Sequence, residues 1–472
     1  MLAERRQSTD LAARAHDGVC RDLLRARNVA WIFAILTLGA CASYSSAPPL
    51  GSPDLVTRFG ELKVDASSLR LGALRVRRID PARGLDPTDV AVLAVLNSPD
   101  LNAKRSAAKV AAAQSFAAGL LPDPQIVFTT DLPDHPAGLV AAYGITPTLD
   151  VMSLITHSTA LKSARASARQ ADLDLLWSEW STAQQARQSA FTALANESKA
   201  QVLTPLAAGL AARYRQSSAA VLRGDLAASV AVIDRMAQLD TQTQLATARH
   251  DAAKARGDLN SLIGLTPDLR LNLIEGPTEA ATTDAAIDQA LRALPARRPD
   301  LLALQAGYAS QDANLRKSIL AQFPLLNLAF SRQSDTGGVL TTGLAATVVV
   351  PVFNRGRGDI AVQTATRARL ASEYQARLDQ AVANVATARR DLAADQALLA
   401  GLQHDMIGAL AIADRADAAL ARGDLDSAAA LALRQAALKQ QMSVIDVGLA
   451  VHLAQISLDT VLFTPDVQGA PR

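Results

Sequence analysis

Two stretches of this 472-residue sequence, from about Val151 to Leu222 and from about Asp359 to Arg422, are rich in alanine and almost free of glycine. Alanine has the highest helix propensity, and its small side chain lets helices approach closely. Read as unbroken helix at 1.5 Å per residue, each arm reaches roughly 100 Å. That exceeds any ordinary domain core and is comparable to a periplasmic crossing. Composition agrees: 49% of residues are hydrophobic but only 4% are aromatic, which suits close helix packing more than a bulky interior.

Each arm ends in the same tetrapeptide pattern, Arg223-Gly224-Asp225-Leu226 and Arg422-Gly423-Asp424-Leu425. A tight helical hairpin is the simplest reading, with the glycine as left-handed cap and an aspartate as N-cap of the returning helix. The tips are expected at about 222–226 and 421–425. Each returning helix runs back roughly 40 residues, to near Gly264 and near Phe463.

The arms belong to an internal repeat with a spacing of roughly 200 residues. Ser98-Pro99-Asp100-Leu101 matches Arg298-Pro299-Asp300-Leu301, each between a short helical segment and a longer one. Leu121-Pro122 matches Phe323-Pro324, and there the periodicity changes from helical to alternating. The expected organisation is an export signal over 1–40, a tether over 41–85, a first repeat over 86–275, a second over 276–465, and a tail over 466–472. The tether is read as extended, because runs such as Ser45-Ser46-Ala47-Pro48-Pro49 suit a loose wrap more than a packed element.

Alternating segments at about 125–147 and 325–350 read as two strand pairs. Leu326, Leu328 and Phe330 alternate with Asn327, Ala329, Ser331 and Gln333; Leu340, Leu344, Val348 and Val350 alternate with Thr341, Gly343 and Thr347. In the first half, Ile126 and Phe128 stand against Gln125, Thr129 and Asp131, followed by Leu139, Tyr143 and Ile145. One face suits lipid and the other a water-filled lumen. Four strands cannot close a barrel, and an open edge in lipid leaves backbone groups unpaired at several kcal/mol each. If the strands enter a membrane, the chain must oligomerise; the other reading is a soluble sheet packed on the helices.

Arg25 and Arg27 precede an apolar run, Val29 to Leu38, of the size of a signal-peptide core. Leu38-Gly39-Ala40-Cys41 follows and resembles a lipobox, making Cys41 the expected lipidated N-terminus of the mature chain. The only other cysteine is Cys20, which leaves nothing downstream to form a disulfide.

Signals for chemistry are missing. The histidines at 135, 157, 250, 404 and 452 form no HExxH and no helical pair, so neither a catalytic nor a metal site is expected. No phosphate-binding Gly-Lys-Ser/Thr loop or dinucleotide motif occurs, so no cofactor is expected and an energy source would reside elsewhere. A net charge of +2 gives no reason to expect nucleic acid. Trp177 and Trp180 are read as packing residues.

The order Arg297-Arg298-Pro299-Asp300-Leu301, Ala321-Gln322-Phe323-Pro324 and Val350-Pro351-Val352-Phe353-Asn354-Arg355-Gly356-Arg357-Gly358 resembles the TolC-like outer-membrane efflux family. The resemblance covers Asp86 to about Phe463. Leu120-Leu121-Pro122-Asp123-Pro124 and the Pro351 to Arg355 run look most like its heavy-metal branch. It implies a mainly α two-repeat TolC-like fold. Four strands per protomer would contribute to a trimeric twelve-stranded barrel above a long periplasmic helical tunnel. The implied role is the passive exit duct of a tripartite efflux pump, not an enzyme. Its partners would be two further copies of the chain, a membrane-fusion adaptor, an inner-membrane transporter and outer-membrane lipid.

Family tips contact the adaptor, which assigns that role to Arg223, Gly224, Asp225, Arg422, Gly423, Asp424 and Asp426. Three copies of these aspartates on one axis would favour cations at the entrance. An acidic gate found in some members falls here on Ala429 and Ala432, which lack the charge. A type I secretion duct and a non-conducting periplasmic coiled-coil scaffold are the competing readings.

Overall fold

The computed structural model describes residues 44–49, 51–80, 83–134, 138–276, 283–323, 325–349 and 353–464. Cys41, the export segment, His135 and the Val350-Pro351-Val352 run lie outside them. The chain divides into two units, 1–54 and 55–472. The described residues of the first, 44–49 and 51–54, form neither helix nor strand.

In the second unit the element order is α1 (Gly72–Arg75), α2 (Pro87–Asn97), α3 (Pro99–Ala117), β1 (Gln125–Asp131), β2 (Ala142–Asp150), α4 (Val151–Leu222) and α5 (Ala228–Ile263). The second repeat follows with α6 (Asp284–Arg297), α7 (Pro299–Leu320), β3 (Leu325–Ser334), β4 (Leu340–Val349), α8 (Arg357–Arg422) and α9 (Ser427–Leu462). The 72 residues of α4 span about 108 Å and the 66 of α8 about 99 Å. The returning helices α5 and α9 have 36 residues each, or about 54 Å. They therefore pair with only the tip-proximal half of the long arms, and α7 lies along the other half of α4.

Helix starts are written in the sequence. Asp86 accepts from the Thr88 and Asp89 N–H groups, Asp89 reciprocates to the Asp86 N–H, and Pro87 takes the first helical position. Every turn of α2 is apolar, and Val90 to Val95 are fully buried, as a helix without a polar face must be. The unbroken reading of the first arm passes over one proline: Pro205 lies inside α4. It withholds the N–H that the Gln201 carbonyl would accept, and the helix continues through it because packing on α5 and α9 holds both sides.

Each repeat has its own core. In the first, Val90, Leu93 and Ala94 of α2 meet Ala186, Ala190 and Ala193 of α4 and Leu259 and Ile263 of α5. In the second, Ile287 and Leu294 of α6 meet Val385 and Ala388 of α8 and Leu458 and Leu462 of α9. The repeats are joined along α4, where Leu203 and Ala207 pack with Leu245 and Ala248 of α5 and against Leu438 and Met442 of α9. Helix α9 is long and apolar enough to cross a bilayer by length and composition, yet it lies against α4 and α8.

The segment read as a loose tether is packed over much of its length. Leu62, Ala66, Leu69, Leu71 and Leu74 are buried against α2 and α4, the last four in a core that includes Trp180. Charge reinforces the attachment. Arg70 reaches Asp172 at 2.6 Å and Glu179 at 3.3 Å on α4, and Arg77 pairs with Asp86 and Asp89 at the start of α2. Local composition missed this because its leucines are spaced for irregular turns, with neither helical nor strand period.

Candidate functional site

Two regions carry the chemistry that the sequence suggests: the sheet at one end of the long arms and the hairpin tips at the other. The sheet is antiparallel throughout, in the order β1-β2-β3-β4. Its register decides what the faces are. Phe128 pairs with Ile145, Leu149 with Leu328, Phe330 with Leu344, and Leu326 with Val348. Directly paired residues point to the same side, so the apolar positions of all four strands share one face. On the other face Thr129 pairs with Gly144, Asn327 with Thr347, Ser331 with Gly343 and Gln333 with Thr341.

Among the described residues, no helix covers either face. Phe128, Ile145, Leu328, Phe330, Leu344 and Val348 are exposed, and so are Thr129, Asn327, Gln333 and Thr341 opposite them. A soluble sheet of this size would bury its apolar face on a helix, so the packed-sheet alternative is set aside. Among the described residues, the outer edges of β1 and β4 have no partner strand. Strand β2 begins at Ala142, which leaves Leu139 in the connection; the β3–β4 turn closes at Gly338, φ +81°, with Asp335 accepting from the Val339 N–H at 2.9 Å.

At the tips, Gly224 and Gly423 have φ values of +79° and +81°, the left-handed region that lets each chain reverse. Arg223 binds Asp225 and Arg422 binds Asp424, both at 2.8 Å and both exposed. Asp426 caps α9, accepting from the Ala428 and Ala429 N–H groups. All three tip carboxylates are thus engaged within the chain, which weakens the expected cation-favouring entrance. Ala429 and Ala432 flank this cap without charge.

A network above the tips was not anticipated. Arg213 of α4 donates to Asp234 of α5 at 2.8 Å and to the Ser427 carbonyl of α9 at 2.7 Å, and so links the two hairpins. Asp234 is buried. The signal was available: Arg213 and Asp234 lie about equally far from the first turn, which places them opposite each other across the hairpin. In the second hairpin Arg434 of α9 binds Asp417 and Asp414 of α8, whose hydrogen bonds and charges raise its pKa above the usual guanidinium value. Among the described residues, no cluster of three His, Cys, Asp or Glu side chains forms a metal site.

No family model matches the sequence, and no curated protein matches it significantly. Solved structures do. The Campylobacter jejuni CmeC outer membrane channel aligns with a TM-score of 0.69 and 15% identity, over 88% of this chain and 94% of that one. The chain has the TolC-like channel fold. The outer-membrane channel OprN aligns at 0.68 and 16% identity, over 88% and 98%. The open-state Neisseria gonorrhoeae MtrE outer membrane channel aligns at 0.65 and 14%, over 90% and 100%.

Proposed function

We propose that this chain is the outer-membrane exit duct of a tripartite efflux pump, anchored through Cys41 and closed into a barrel by three copies. The carrying observation is the sheet: a shared apolar face, a small polar face opposite, neither covered, and two unpaired edges. Such a sheet suits a position between lipid and water once its edges are joined to other copies. The long hairpins then extend into the periplasm, with their tips toward an adaptor and an inner-membrane transporter. Cargo passes without chemistry; metal ions or small toxic compounds fit the duct, because selection belongs to the pump.

Purified full-length protein in planar bilayers provides the test. Discrete conductance steps are expected, and Arg213→Ala, which frees the link between hairpins, is expected to raise the open fraction. A trimer that stays silent in both forms would favour the scaffold reading instead.

A further inference from the structure

Among the strand residues, the apolar face of the sheet carries one charged side chain. Three rows across that face, counted from the end where β2 runs into α4, hold Leu326 and Val348, then Leu149, Leu328 and Ala346, then Ile126, Pro147, Phe330 and Leu344. None of these side chains is polar. The fourth row holds Phe128, Ile145, Arg332 and Thr342, and the fifth holds Thr130, Tyr143, Ser334 and Leu340. The face therefore changes character at Arg332, about 20 Å along β3 from Leu326.

Position limits what the guanidinium can meet. Arg332 is exposed, and its direct neighbours across the ladder are Ile145 and Thr342; Phe330 and Leu344 stand in the row below, 46% and 88% exposed. No carboxylate of the four strands shares that face. Asp131 and Asp150 belong to the opposite one, pairing with Ala142 and Asn327, and the Asp335 carboxylate of the turn accepts from the Val339 N–H. A cation facing hydrocarbon is costly at the middle of a bilayer and close to free at its boundary, where a long side chain lifts its charged end to the headgroups. Arg332 lies two residues from the end of β3, beside the turn into β4, and the exposed Tyr143 and Thr342 stand next to it. At its opposite end the face finishes on Leu326, Val348 and Leu149 with no cation, so the two boundaries are chemically unlike.

We infer that Arg332 binds the phosphate of an outer-leaflet glycolipid headgroup, with the hydroxyls of Thr342 and Tyr143 as further donors. This rests on the proposed duct, which sends the helical arms into the periplasm and so turns the Arg332 end of the sheet toward the cell surface. It goes further by naming a lipid class and the residue that holds it. The chemistry favours phosphate: a guanidinium offers two parallel N–H groups to two oxygens of one phosphate, and basic side chains at membrane boundaries recognise anionic headgroups. Strand β3 lies between β2 and β4, so the site is complete within one chain whatever joins the outer edges.

Full-length protein in detergent micelles, supplied with bisphosphorylated lipid A or with the same lipid stripped of its phosphates, provides the test, with retained lipid read by native mass spectrometry. Wild-type protein is expected to retain the phosphorylated lipid, and Arg332→Gln to retain about tenfold less, as the loss of one charge-assisted contact requires. Arg332→Lys, which keeps the charge without the fork, is expected to recover part of the difference, and Thr342→Val to lose a smaller part with Arg332 in place. Excess inorganic phosphate is expected to leave the lipid bound. Three outcomes overturn the inference: equal retention by wild type and Arg332→Gln, equal retention of the two lipids, or displacement by inorganic phosphate, which would mean a site for free anions. Insertion of the wild-type protein into planar bilayers is read in parallel; a chain that never inserts removes the duct reading, whatever it binds in micelles.

Discussion

Trp180 shows how much one side chain can hold in a fold made of long rods. It is fully buried, its indole N–H donates to the Thr460 carbonyl at 3.1 Å, and its ring meets Phe463 edge-on with centroids 5.4 Å apart. One residue thereby ties α4 to the end of α9. Trp180→Ala is expected to destabilise the chain by about 3–5 kcal/mol, read as a lower midpoint in chemical unfolding, because the cavity cannot be refilled by a rigid helix. An unchanged midpoint would mean that the two arms are held elsewhere. The sequence already marks Trp177 and Trp180 as packing residues, but not their partners. Trp177 lies under the Arg298 guanidinium at 4.6 Å, a residue more than a hundred positions away whose fork also grips Asp300 at 2.7 and 2.9 Å. Such contacts depend on three-dimensional proximity that spacing along a helix does not encode.

Among elements, the hairpin tips are the sharpest case of local legibility. Arg-Gly-Asp at the end of an alanine-rich arm names both the turn and its glycine, since only a left-handed residue reverses a helix so tightly. What stays hidden is the fate of the charges: the glycine folds Arg422 back onto Asp424, so the tip carries paired side chains where free carboxylates were expected. Gly423→Pro replaces a φ of +81° with about −65° and removes the N–H given to the Leu420 carbonyl at 3.0 Å, a local cost of about 3 kcal/mol. Efflux that depends on the adaptor is expected to fall to background while the protein still inserts into membranes. Wild-type efflux from this variant would remove the tip from the adaptor contact. Strands were legible for a related reason, because period-two alternation survives in isolation, whereas the packing of residues 62–74 has no period to find.

At the scale of the molecule, the repeat carries most of the information. Two copies of a strand pair and a helical arm define the fold class from the chain alone, but a sequence written once does not state what joins the two outer edges of the four-stranded sheet. The proposed anchor at Cys41 is tested on the whole protein. Cys41→Ser is expected to abolish fatty-acid labelling and to shift part of the protein from the membrane fraction to the soluble one; labelling that persists would displace the anchor from Cys41.

The equal lengths of α5 and α9 carry a last consequence. Thirty-six residues in each give the hairpins one length but not one level: Leu203, 21 residues before Gly224, packs against Leu438, 15 residues after Gly423, so the first turn lies about 9 Å beyond the second. Removing two helical turns from the first hairpin alone would bring the turns close to level, a change of about 11 Å that a partner fitted to the offset would register. Trimming both hairpins together would keep the offset and only shorten the reach.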